Sequence, residues 1–133
     1  MSRKRSREKA MELAFGMELS KETPAEVLEM FIESDDLNQR EFDIEYIKKV
    51  LEGITENKES LDNLIKENLQ NWKIERVAKI NLTILRLGIL EMKYFEDVPG
   101  KVAVNEALEL AKKYSDEKSV SFINGVLDKI LKA

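Results

Sequence analysis

The chain has 133 residues, 43% of them apolar and 36% charged, with a formal net charge of −4. That length fits one domain with a core that needs no covalent staples, and the apolar fraction is that of a folded globular protein. Cysteine and histidine are both absent, which excludes disulfides, thiolate or imidazole metal sites, cysteine nucleophiles and any triad built on imidazole.

The apolar residues recur at intervals of three and four, the helical period, and nowhere alternate as in a half-buried strand. With five glycines and two prolines, the sequence reads as all-α. A first helix spans residues 4–20, with Ala10, Leu13, Ala14 and Met17 on one stripe and Met11, Phe15 and Leu19 on its neighbour. After a break at 20–24, Thr23 can cap a second helix, with Pro24 at its first position and Glu26 completing a capping box. That helix carries Val27, Leu28, Phe31 and Ile32 and ends near Ser34; residues 34–40 read as a polar connection. A third helix, about Glu41–Thr55, buries Ile44, Ile47, Val50, Leu51 and Ile54, and a fourth, about 58–70, uses Leu61, Leu64, Ile65 and Leu69, with a kink near Asn57 between them.

Residues 74–95 are the most apolar stretch. Ile74, Val77, Ile80, Ile84 and Leu87 form one stripe, and Leu82, Leu85, Ile89 and Met92 another, the pattern of a central helix packed on two sides. Trp72, just before it, reads as a packing anchor. A sixth helix, about 101–114, buries Val104, Ala107, Leu108 and Ala111. The last is capped by Ser119 or Ser121 and buries Val120, Ile123, Val126, Leu127 and Ile130. All connections are short, so residues 1–133 are expected to form a single domain.

The charge is uneven. Arg3, Lys4, Arg5, Arg7 and Lys9 face only Glu8 within the first nine residues, so this arm carries +4 and the other 124 residues −8. The plain reading is a solvated, frayed helix start, but cations at a helix N-terminus oppose the macrodipole, which favours a binding role. Such a cluster attracts phosphate backbones, and arginine also stacks on bases. A second cluster, Lys112, Lys113 and Lys118, lies beside Ser119 and Phe122; an aromatic ring among lysines suits base stacking, although a ring on a helix flank also serves as a core edge. Gly125 lies inside the last helix, where glycine costs about 1 kcal/mol relative to alanine; close approach of a backbone or a ligand would account for it. Arg86, Glu91 and Glu106 read as structural charges paired across helices. Val98-Pro-Gly-Lys101 lacks the frame of a phosphate-binding loop. No catalytic constellation, metal site or cofactor motif is present, and neither an apolar run of membrane-spanning length nor a secretory segment occurs. A non-enzymatic, cytoplasmic protein is expected.

Several segments together are more specific: Arg7-Glu-Lys-Ala, Trp72-x-x-x-Arg76, Ile84-Leu-Arg-Leu-Gly-Ile-Leu-Glu91, Val98-Pro, Val104-Asn-Glu-Ala-Leu-Glu-Leu-Ala-Lys112 and Ser119-x-x-Phe-Ile-Asn-Gly-Val-Leu-Asp128. In this order they resemble the bacterial transcription antitermination factor NusB family along the whole length. The resemblance implies about seven helices in two abutting bundles and binding to boxA-type single-stranded RNA of ribosomal RNA leaders. It also implies pairing with the ribosomal protein NusE, within an antitermination complex on RNA polymerase, as a monomer or homodimer. It assigns RNA contacts to Arg3, Lys4, Arg5 and Arg7 and to Lys118, Ser119 and Phe122, with Lys112 and Lys113 beside them. Partner contacts fall to Phe15, Leu19, Glu75 and Asn81. Position 81 is usually acidic in that family and position 118 can be, so Asn81 and Lys118 are departures. Ribosomal RNA cytosine methyltransferases carry the same module, but they need an α/β cofactor domain and cysteines. A helical protein-binding adaptor using Phe15 and Leu19, with only nonspecific RNA affinity, is the remaining alternative. Removing residues 1–7 is expected to weaken RNA binding while leaving helicity intact.

Overall fold

The computed structural model describes residues 2–70 and 73–133; Trp72 lies outside the described residues. All regular structure among them is helical: α1 (Arg3–Ser20), α2 (Pro24–Ser34), α3 (Asn38–Glu41), α4 (Ile44–Glu56), α5 (Lys58–Glu67), a 3-10 turn (Ile74–Arg76), α6 (Lys79–Tyr94), α7 (Gly100–Tyr114) and α8 (Glu117–Lys132). They form two compact units, residues 1–56 and 57–133. The boundary falls at Asn57, the expected kink, and the polar segment 34–40 lies wholly inside the first unit.

In the first unit, α1 and α2 pack on α4. α1 buries Ala10, Met11, Ala14 and Met17, and α4, against which it packs, buries Tyr46, Ile47, Val50, Leu51 and Ile54. α1 stops at Lys21, whose left-handed backbone (φ 64°) lets its N–H reach the Met17 carbonyl at 2.9 Å. The capping box at α2 is formed in full: the Glu26 N–H donates to Thr23 Oγ1, and the Thr23 N–H donates to Glu26 Oε1. Two boundaries differ from expectation. The supposed connection holds α3, stabilised because the buried Asn38 amide donates to the Phe31 carbonyl at 2.7 Å. α4 starts after Glu41 because Phe42 is extended and Asp43 Oδ1 accepts the Tyr46 N–H at 3.1 Å, ending one helix and capping the next.

In the second unit, α6 packs on α5, α7 and α8. Residues Thr83 through Glu91 are all buried, as expected for a helix apolar on two sides. The Arg86 side chain is buried among them and grips Asp62 of α5 with two hydrogen bonds, Nε to Oδ1 at 2.8 Å and Nη2 to Oδ2 at 2.9 Å. Gly88 lets α7 and α8 come close: a Cβ there would stand 3.2 Å from Leu127 and 3.3 Å from Ala107. The continuous helix expected over 74–95 is broken instead, the 3-10 turn being followed by extended Val77 and Ala78. No glycine, proline or capping side chain marks that break. α8 is capped by Asp116, not by Ser119 or Ser121: the Ser119 N–H donates to Asp116 Oδ1 at 2.8 Å.

Candidate nucleic-acid interface

The basic arm is the first two turns of α1. Ser2 caps it, accepting the Arg5 N–H at 3.3 Å, and Ser6 is fully buried, its hydroxyl accepting the Asp43 N–H at 2.9 Å. The cations therefore stand on a seated helix. Arg3 lies over the Tyr46 ring, 4.3 Å from its centre, and reaches Asp43 Oδ2 at 3.3 Å. Arg5 lies 5.1 Å over Phe42 and 3.7 Å from Glu41. Lys9 bonds Glu12 at 2.9 Å and lies near the Phe31 and Phe42 rings. Arg3, Lys4 and Arg5 are exposed, whereas Arg7 is only 5% exposed and lies 5.8 Å over Tyr46. Arg7 therefore serves the packing of α1 on α4 and offers little surface to a ligand. The burial of Ser6 and Arg7 also corrects the expectation for the 1–7 deletion: it would remove packing as well as charge. The aromatic and acidic supports, Phe42, Asp43 and Tyr46, carry little signal in the sequence beyond an aromatic pair four residues apart.

In the second unit, a cleft of about 360 Å³ opens between the 3-10 turn with the start of α6 and the start of α8. Arg76, Asn81, Asp116, Lys118, Ser119 and Phe122 are among its lining residues. Lys118 and Arg76 are exposed and Phe122 is half-buried, so two cations and an aromatic ring share the lining of one cleft. The fold thus brings together Lys118, Ser119 and Phe122 and adds Arg76. Lys112 and Lys113 occupy the last turn of α7 and do not line the cleft. Lys112 stands 3.6 Å from Glu109, and Lys113 lies 5.6 Å from the Tyr114 ring. Their charges complement the α7 dipole. The Ser119 N–H, with the Ser119 hydroxyl adding to it, holds the Asp116 carboxyl below the usual carboxylate range.

The residues expected to meet a protein partner are differently placed. Leu19 is 53% exposed and Phe15 half-buried, both on α1 in the first unit. Glu75 is exposed in the 3-10 turn. Asn81 is buried, and its amide is taken up internally: Nδ2 donates to Ser119 Oγ at 2.8 Å, and Oδ1 accepts from Ser115 Oγ at 2.9 Å. It offers a partner little surface. Nor does close approach of a backbone explain Gly125, since nothing lies within 4 Å of a Cβ built there.

Among the described residues no group of carboxylates is arranged to hold a metal ion, and no helix is long and apolar enough to cross a membrane. Cations and a ring around a cleft, together with exposed arginines on a seated helix, define a small helical protein suited to a polyanion. Residues 4–132 match the NusB family. The chain is 57% identical over 132 residues to the transcription antitermination protein NusB of Clostridium botulinum (strain Alaska E43 / Type E3), covering 99% of each. Its fold is similar to that of T. maritima NusB (TM-score 0.85, 31% identity, 99% of this chain and 92% of that one). A further similar structure holds the antitermination factors NusB and NusE in complex with double-stranded RNA (TM-score 0.82, 28% identity, 99% and 98% covered). The chain belongs to the NusB family, a family of transcription antitermination factors and not of enzymes.

Proposed function

We propose that this protein binds boxA-type RNA of ribosomal RNA leaders and works with the ribosomal protein NusE in an antitermination complex on RNA polymerase. The observation that carries the reading is the cleft of the second unit, whose lining brings together Arg76, Lys118 and the Phe122 ring, with the Asp116 carboxylate beside them. Two cations can meet phosphates while a ring receives a base, a combination suited to single strands because their bases are free to stack. Arg3, Lys4 and Arg5 supply further phosphate contacts, with Lys112 and Lys113 adding long-range attraction. Phe15, Leu19 and Glu75 are offered to the protein partner, Leu19 and Phe15 as an apolar patch and Glu75 as an exposed acid. The role is binding alone: each ligand raises the affinity of the other through the coupling between their sites.

The test is a titration of labelled boxA-type RNA, single-stranded and as a duplex, against the wild type and an R3A/K4A/R5A variant. Substitution replaces truncation because Ser6 and Arg7 are needed for packing. The wild type is expected to prefer the single strand. Loss of three phosphate contacts should flatten the slope of log K against log salt by about 2, at roughly 0.7 per contact. A preference for duplex, or an unchanged slope, would overturn this assignment. The adaptor alternative predicts only weak RNA binding that is indifferent to sequence.

A further inference from the structure

Asn81 joins three elements of the second unit. It sits in the first turn of α6, buried, with both ends of its amide engaged. Oδ1 accepts from the hydroxyl of Ser115, the residue that ends α7, and Nδ2 donates to the hydroxyl of Ser119, in the first turn of α8. Those two serines bracket Asp116, whose carboxylate caps α8 through the Ser119 N–H. A single amide therefore spans the reversal between α7 and α8 and ties it to α6. Ser119 and Phe122 are three apart on α8, hence neighbours on one helix face, and both line the cleft with Lys118 and Asn81 itself. The position of the ring and of the Lys118 backbone depends on where that first turn is held.

We infer that Asn81 is a positioning residue of the RNA site: through Ser115 and Ser119 it fixes the first turn of α8 so that Phe122 and Lys118 face the cleft. This inference rests on the RNA-binding reading above and assigns Asn81 to that function instead of to partner contact. Asparagine suits the place because its amide donates at one end and accepts at the other without adding charge beside a phosphate chain. A buried amide deprived of either partner would favour a shifted turn.

The experiment uses the full-length chain and fluorescein-labelled boxA-type RNA, read by anisotropy, with N81A, S115A, F122A and N81A/F122A compared with the wild type. Thermal melts are run alongside, and the Phe122 ring resonances of the RNA-free proteins are followed by NMR. N81A is expected to weaken RNA binding about 5- to 10-fold and to shift the ring resonances. In the F122A background the same substitution should change affinity clearly less than in the wild type, because one of the two groups it positions is gone and only Lys118 remains. S115A should act in the same direction more weakly, and it carries the test should N81A melt below the assay temperature. The inference is overturned if N81A and S115A bind like the wild type, or if the N81A loss is as large with F122A as without it. It is equally overturned if the Phe122 resonances stay in place. A wild type that fails to bind RNA while N81A still moves those resonances would instead overturn the RNA-binding reading and leave the positioning role standing.

Discussion

Two glycines of the second unit should respond to alanine with opposite signs. Around Gly125, in α8, there is nothing within 4 Å of an added Cβ, and the residue is exposed. Alanine there recovers the helix propensity that glycine forfeits, about 1 kcal/mol. At roughly 2.1 cal/mol/K per residue of unfolding entropy, that gain raises the melting temperature by about 4 °C in a chain of this length. Around Gly88, in α6, the added Cβ meets Leu127 Cδ1 at 3.2 Å, Ala107 Cβ at 3.3 Å and Leu127 Cδ2 at 3.4 Å. The neighbours belong to two other helices and must both give. Overpacking of about 1–3 kcal/mol then exceeds the propensity gain of about 1 kcal/mol, leaving a net loss of up to about 2 kcal/mol. Circular-dichroism melts and urea titrations of G125A and G88A measure both. A lower melting point for G125A, or a higher one for G88A, would refute the packing described for α8 against α6. If G125A is stabilised yet loses RNA affinity, then the open space beside Gly125 is where a ligand approaches.

Three further outcomes follow from the same geometry. Breaking the Arg86–Asp62 pair with D62A should cost about 3 kcal/mol, because it strips the buried guanidinium of a two-bond partner; a urea-derived loss below about 1 kcal/mol would show that Arg86 leans on its other contacts. Asp116 is held below its ordinary pKa of 3.8 by the Ser119 N–H, so its contribution to α8 is present above that value and is lost as pH falls through the lowered one. An NMR titration should place its midpoint below 3.8, with the Ser119 amide losing protection in step; a midpoint at or above 3.8 contradicts the cap. K118E should weaken RNA binding and flatten the salt slope by about 0.7, one single-strand phosphate contact; unchanged affinity would remove Lys118 from the site.

What could be read from the sequence was local. Thr23, Pro24 and Glu26 announce α2 because a capping box is made within four consecutive residues, and the structure forms it. The two-sided apolar pattern of residues 82–92 identifies α6 because burial on several faces leaves few polar positions. The start of α8 is ambiguous for the same local reason: Ser119 and Ser121 are competent caps by residue type, yet Asp116 takes the role while the Ser119 hydroxyl is met by Asn81 from 38 residues away. The support beneath the arm is still less local, since Arg3 meets Asp43 across 40 residues of sequence. Nothing in either segment signals that pairing. Arg76 stands in the sequence only as part of the Trp72-x-x-x-Arg76 segment, because its place at the cleft depends on the break at Val77 and Ala78, which no change in the apolar pattern marks.

The central claim is joint recognition of a specific RNA with a ribosomal partner. It is tested most directly by titrating labelled boxA-type RNA with this protein, with and without purified NusE, and competing with a scrambled RNA of equal length. The account predicts that NusE tightens binding several-fold and that the scrambled RNA fails to compete. Weak binding that ignores both sequence and partner would contradict it, reducing the basic arm to a nonspecific tether and directing attention to the Phe15 and Leu19 patch as a protein-docking surface.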